Sequence, residues 1–166
     1  KKVIVAIAAE VDGRNIGRIR MARVPDVSSE SMGAFVQASV SMGVVVRTDG
    51  WSGYKGLEKL GYTHRPTSIT ASGDPAHVVM PRVHRVASLL KRWWLGTHQG
   101  AIRSSHMNYY LDEFTFRFNR RRSRARGLLF YRLLEQALLV DPVSYRRLIN
   151  PKAATRNPSR LRERSG

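Results

Sequence analysis

The chain has 166 residues, of which 42% are apolar, enough for a folded domain with a real core and too many for a disordered polymer. Twenty-nine Lys and Arg stand against 12 Asp and Glu, a formal net charge of +17, which opposes compaction unless a polyanion relieves it. Nucleic acid is the leading partner, because Lys and Arg displace counterions from phosphates. No long uninterrupted apolar stretch suits a membrane span. With no cysteine, disulfides, Cys-ligated zinc and thiol nucleophiles are excluded, which fits a reducing compartment.

Lys2 to Val11 is short and rich in Val and Ile, so it reads as a buried strand rather than a signal peptide. Asp12-Gly13 marks a hairpin turn, and Ile16 to Val24 alternates apolar and basic residues as a strand with one wet face does. After Pro25, Ser28 or Ser29 caps a helix carrying Met32, Phe35, Val36 and Val40. Gly43 to Thr48 is a further apolar strand, ending at Asp49-Gly50. Trp51 to Leu60 reads as a short helix that Gly61 ends, and Tyr62 to Ile69 as a strand weakened by Pro66. Ala71 to Ala76 is a loop.

Pro81 opens a long helix through Leu95, broken at Gly96 to Gly100. Ser104 or Ser105 caps the next, which runs to about Arg121 with Tyr109, Tyr110, Phe114 and Phe118 on its apolar side. Gly127 to Val140 is an amphipathic helix. Residues 1–149 form one domain, and the polar, basic stretch 150–166 reads as a flexible tail. A hairpin followed by strand-helix alternation predicts an α/β fold, a mixed sheet flanked by helices with a helical basic C-terminal part.

Three features carry possible chemistry. Asp49 stands where an apolar strand ends, a place where sites gather in open α/β sheets and where a carboxylate suits a hard cation. An Asp also starts turns and caps helices, so both readings stay open. On the long helix His84, Ser88 and Lys91 fall at i, i+4 and i+7 and share one face. A solvated face and a nucleic-acid contact both explain Lys91-Arg92. Six arginines, Arg117, Arg120, Arg121, Arg122, Arg124 and Arg126, form an electrostatic footprint suited to a DNA backbone or to solvent. Glu113 reads as the intrahelical partner of Arg117. Walker, dinucleotide and nucleophile-elbow motifs are absent from the sequence.

The stretches RTDGWSGY (Arg47 to Tyr54), HRVASLLKRWWLGTH (His84 to His98) and YYLDEFTFRFNRR (Tyr109 to Arg121) resemble bacterial insertion-sequence transposases with an ISXO-type DDE domain, relatives of the Merlin transposons. The resemblance covers Lys1 to about Ile149. It implies an RNase H-like fold, a cytoplasmic protein acting at the nucleoid, and a homo-oligomer working on transposon ends and target DNA. It further implies cleavage and transfer of DNA strands at a two-metal site of Mg²⁺ or Mn²⁺. Asp49 then matches the second acidic ligand. His84 matches the third, seven residues before the lysine that touches phosphate, Lys91. A histidine there departs from the carboxylate norm, adds no negative charge and favours a softer metal. The first Asp has no match and is expected before residue 1, on a first strand that the chain lacks. The alternatives are a non-enzymatic basic nucleic-acid-binding protein and an RNase H-like nuclease without strand transfer.

Overall fold

The computed structural model describes residues 3–67, 73, 75–100, 102–125 and 127–149; Arg126, the stretch 150–166 and the far end of the strand expected to reach Ile69 lie outside the described residues. The chain is a mixed α/β protein that divides into two compact units after Arg121.

The first unit is built on a hairpin. Strand β1 (Ile4–Asp12) pairs antiparallel with β2 (Asn15–Val24), with Asp12 opposite Asn15 across a turn in which Gly13 takes φ +55°, a conformation open to glycine at no steric cost. The register shifts between Ala9 and Val11, and Glu10 at this bulge accepts the Arg18 N–H at 2.8 Å.

Strand alternation gives the hairpin two apolar faces. Ile19 and Met21 turn to one side, against Val86 and Leu90 of helix α3 (Pro81–His98) and Leu111, Phe114 and Phe118 of α4 (Met107–Asn119). Ala6 and Val24 turn to the other, against Met32, Phe35 and Val36 of α1 (Ser29–Ser39) together with Leu57 and Tyr62. Helix α1 starts where Ser28, one of the two caps offered by the sequence, accepts the Ser31 N–H at 3.3 Å.

A second pair, β3 (Val45–Thr48) and β4 (Thr63–Pro66), runs parallel, with Val46 opposite His64. The single mixed sheet expected from sequence is thus two separate two-stranded sheets among the described residues, because no described strand bridges β1 and β3. Three local expectations also change. Trp51 to Leu60 is two 3₁₀ turns, Ser52–Tyr54 and Glu58–Leu60, split at Gly56, whose φ of +98° no α-helix accommodates. Helix α3 runs past Gly96 and stops at Gln99, which adopts a left-handed φ of 47°. Ser104 and Ser105 form a 3₁₀ turn rather than a cap, and the residue before α4, His106, makes no side-chain cap bond. A short helix, α2 (Ala76–Val79), precedes α3.

The second unit carries α5 (Gly127–Leu138), within the span read as amphipathic, and the short α6 (Tyr145–Ile149).

Candidate functional site

Thr48, Asp49 and Gly50 form the exit of β3. Thr48 is buried and Asp49 is exposed, as the alternation of a strand that breaks into a loop requires. The turn is tight: Gly50 adopts φ +79°, and Asp49 Oδ1 accepts the Trp51 N–H at 3.2 Å. The Trp51 indole N–H donates to Val27 O at 3.1 Å, which anchors the loop to the start of α1. Gly53 is packed so closely that a Cβ there would stand 2.4 Å from Val27 O. The turn role open at the sequence level is therefore real, and it leaves the Asp49 side chain at the surface.

Asp49 lines a cleft of about 610 Å³ together with His84. Consecutive residues of both strands, Ile7 to Val11 and Val44 to Asp49, line it, so the cleft is walled by the edges of β1 and β3 that pair with no described strand. His84 arrives from the first turn of α3, where its N–H donates to Met80 O at 3.2 Å. Arg82 fixes this helix end by donating to Asn15 O at 3.1 Å and Gly13 O at 2.6 Å, the carbonyls of the hairpin turn. The structure thus brings two of the three sequence-derived site residues to one cleft.

Lys91 and Arg92 are exposed further along α3, and Lys91 lies about 10 Å from His84 along the axis at 1.5 Å per residue. Ser88, between them, donates its hydroxyl to His84 O at 2.9 Å. Among the described residues no group of three or more His, Cys, Asp or Glu side chains is gathered for a metal ion. Glu10 also faces the cleft, but its Oε2 is engaged by the Arg18 N–H.

Tyr54 is the residue that motif reading passed over. It lines the cleft, and burial, with the charge of Asp49 adding, pushes its hydroxyl above the ordinary tyrosine range. It remains a neutral hydroxyl near Asp49 at any physiological pH. Its signal was its place in the run Asp49-Gly50-Trp51-Ser52-Gly53-Tyr54.

The arginine run divides. Arg117 pairs with Glu113 at 2.8 Å, as the spacing foretold. Arg120 lies 3.8 Å over the Phe116 ring. Arg121 stacks over Phe118 and donates to the carbonyls of Phe118, Gly17 and Ile16, tying α4 to β2. Arg122 and Arg124 lie in the second unit and are exposed. No helix among the described residues is long and apolar enough to cross a membrane.

No curated protein and no solved structure matches this chain significantly. Residues 1–119, which hold the hairpin, the Asp49 turn and both long helices of the first unit, match the ISXO2-like transposase domain, and the chain belongs to that family.

Proposed function

We propose that this chain is the catalytic part of a DDE-type transposase that cleaves and joins DNA strands at the ends of a bacterial insertion sequence. The observation that carries the reading is the convergence of Asp49 and His84 on one cleft, within the span that matches the family. An oxygen donor and an imidazole nitrogen suit Mn²⁺ or Mg²⁺, and such ions complete their shell with water and substrate phosphate rather than an all-protein cage. Two protein donors at a cleft fit that pattern. When bound, a pair of divalent ions supplies activated water for nicking and an activated 3′-hydroxyl for joining.

The chain's own residues do the rest. Asp49 holds the cation at the mouth of the cleft, and its charge biases the site toward cations. His84 adds a neutral donor, so the site is less negative than an all-carboxylate one and discriminates toward the softer ion. Lys91, exposed on the same helix face, meets a phosphate beyond the reacting one. The open edges of β1 and β3 leave room for a further strand, and we place the first acidic ligand implied by the resemblance on such a strand. Action in the bacterial cytoplasm, and on two ends through a homo-oligomer, belongs to the same proposal.

The test is Asp49→Ala in the full gene product. Metal-dependent nicking and joining of a DNA duplex should fall by at least about a hundredfold, while DNA binding stays within about twofold. Normal cutting by the variant sinks the reading; nicking without a joined product turns it into a nuclease.

A further inference from the structure

Beneath Asp49 runs a line of polar groups that strand transfer itself does not use. Thr48, 5% exposed, is a buried polar residue in the floor of the site. Its Oγ1 lies 2.9 Å from His64 Nε2 and 3.4 Å from the Gly50 amide nitrogen. On the far side of the ring, His64 Nδ1 lies 3.3 Å from Glu58 Oε1; the imidazole is 7% exposed and the carboxylate 60%. The two strands make this possible. His64 is in register with Val46 across the parallel pair, and Thr48 shares the Val46 face two residues on. Tyr54 closes the ring from another side, its centroid 6.5 Å away.

With the imidazole neutral, the protons in this line have one consistent arrangement. A carboxylate only accepts, so Nδ1 carries the imidazole proton toward Glu58. Nε2 is then an acceptor, and the Thr48 hydroxyl must donate to it. That leaves the lone pairs of Oγ1 for the Gly50 N–H. Each group is satisfied once, from the Gly50 amide through Thr48 and His64 to Glu58 at the surface. The amide at the head of the line belongs to the turn that carries Asp49, while the next amide, Trp51, is held by Asp49 itself.

We propose that Thr48, His64 and Glu58 are positioning residues for Asp49: a one-directional hydrogen-bond relay, running from buried Thr48 and His64 to Glu58 at the surface, that locks the Thr48-Asp49-Gly50 turn so that the carboxylate is presented to the cleft in one orientation. This rests on the reading of Asp49 as a cation-holding group. A relay of this kind pre-organises the donor, because the turn need not be ordered when the ion arrives.

Two substitutions at Thr48 separate this role from packing. Thr48→Val keeps the shape and loses the hydroxyl; Thr48→Ser keeps the hydroxyl and loses a methyl. Nitrogen NMR of the whole chain reads the His64 tautomer, amide exchange reads the Gly50 N–H, and water-proton relaxation reads Mn²⁺ binding. The relay requires the Nδ1–H tautomer in the unmodified chain. It also requires Gly50 exchange roughly tenfold faster and Mn²⁺ binding several-fold weaker in Thr48→Val, with Thr48→Ser close to the unmodified chain. A packing role gives the reverse order of the two variants and overturns the proposal, as does an Nε2–H tautomer, which needs no variant to fold. Asp49→Ala is the separate arm: unchanged Mn²⁺ binding there refutes the role of Asp49, while the tautomer and Gly50 exchange still decide the relay.

Discussion

Asn119 lies within the arginine run that the sequence leaves open to DNA or solvent, yet its side chain works as a piece of β-ladder. The Ile19 N–H donates to Asn119 Oδ1 at 2.7 Å, and Asn119 Nδ2 donates to Ile19 O at 3.0 Å. One carboxamide thus satisfies the outward main-chain groups of β2 where another strand would otherwise pair, and Arg121 continues the cover over Ile16 and Gly17. Ile19 itself is 1% exposed, so these groups have little access to water once the amide is removed. Asn119→Ala should therefore cost about 1–3 kcal/mol, the range for leaving buried polar groups unpaired. A urea melt checks it; a midpoint unchanged from the parent chain would show that water replaces the amide without loss.

At the scale of elements, the start of α1 has a pH dependence of its own. Asp26 Oδ1 accepts the Ser28 hydroxyl at 2.5 Å, the Ser31 hydroxyl at 2.7 Å and the Ser28 N–H at 3.0 Å. The Ser28 side chain, followed by those of Ser31 and the Ser28 amide, holds the carboxyl below its ordinary value of 3.8. A lowered folded-state value means that the unfolded chain takes up the proton first. The contribution is therefore complete above the ordinary carboxylate range and is lost as pH falls through 3.8 toward the lowered value. Asp26→Asn should lower the melting temperature at neutral pH, by an amount that shrinks as the pH falls below 3.8. A gap between the two that persists undiminished in acid would place the effect in packing rather than charge.

The Ser28 cap and the Asp12-Gly13 turn were legible because each depends on residues a few positions apart. The second packed face of the hairpin was not, since Ile16 to Val24 reads as a strand with one wet face, whereas Val24 packs among residues of α1. The break of Trp51 to Leu60 was hidden too: its apolar spacing is helical, and the contact of Gly53 with Val27 is tertiary. Asp49 and His84 were readable as types, from a strand end and a helix face. His64 was not, since its partners Thr48, Glu58 and Tyr54 come from other elements. Separation of the strands into two sheets is a matter of non-local pairing, on which alternation is silent.

For the whole molecule the net charge of +17 sets the affinity for DNA, but the structure says which charges are available to phosphate. Arg121 spends its guanidinium on main-chain carbonyls and the Phe118 ring, whereas Lys91 and Arg92 stand exposed on the helix that brings His84 to the cleft. Each Lys or Arg that neutralises a phosphate contributes about 0.9 to the slope of log K against log salt. Replacing Lys91 and Arg92 together with Gln should therefore flatten that slope by about two, with affinity lost uniformly across DNA sequences. Arg121→Gln should leave the slope within about 0.3 of the parent and instead lower the denaturation midpoint, because Ile16 and Gly17 lose their donor. Anisotropy titrations of a short duplex between about 50 and 200 mM salt read the first effect, and urea melts read the second. If Arg121→Gln flattens the slope as much as the loss of one exposed arginine does, its bonds to the hairpin yield to phosphate when DNA arrives. The basic end of α4 would then belong to the DNA surface after all.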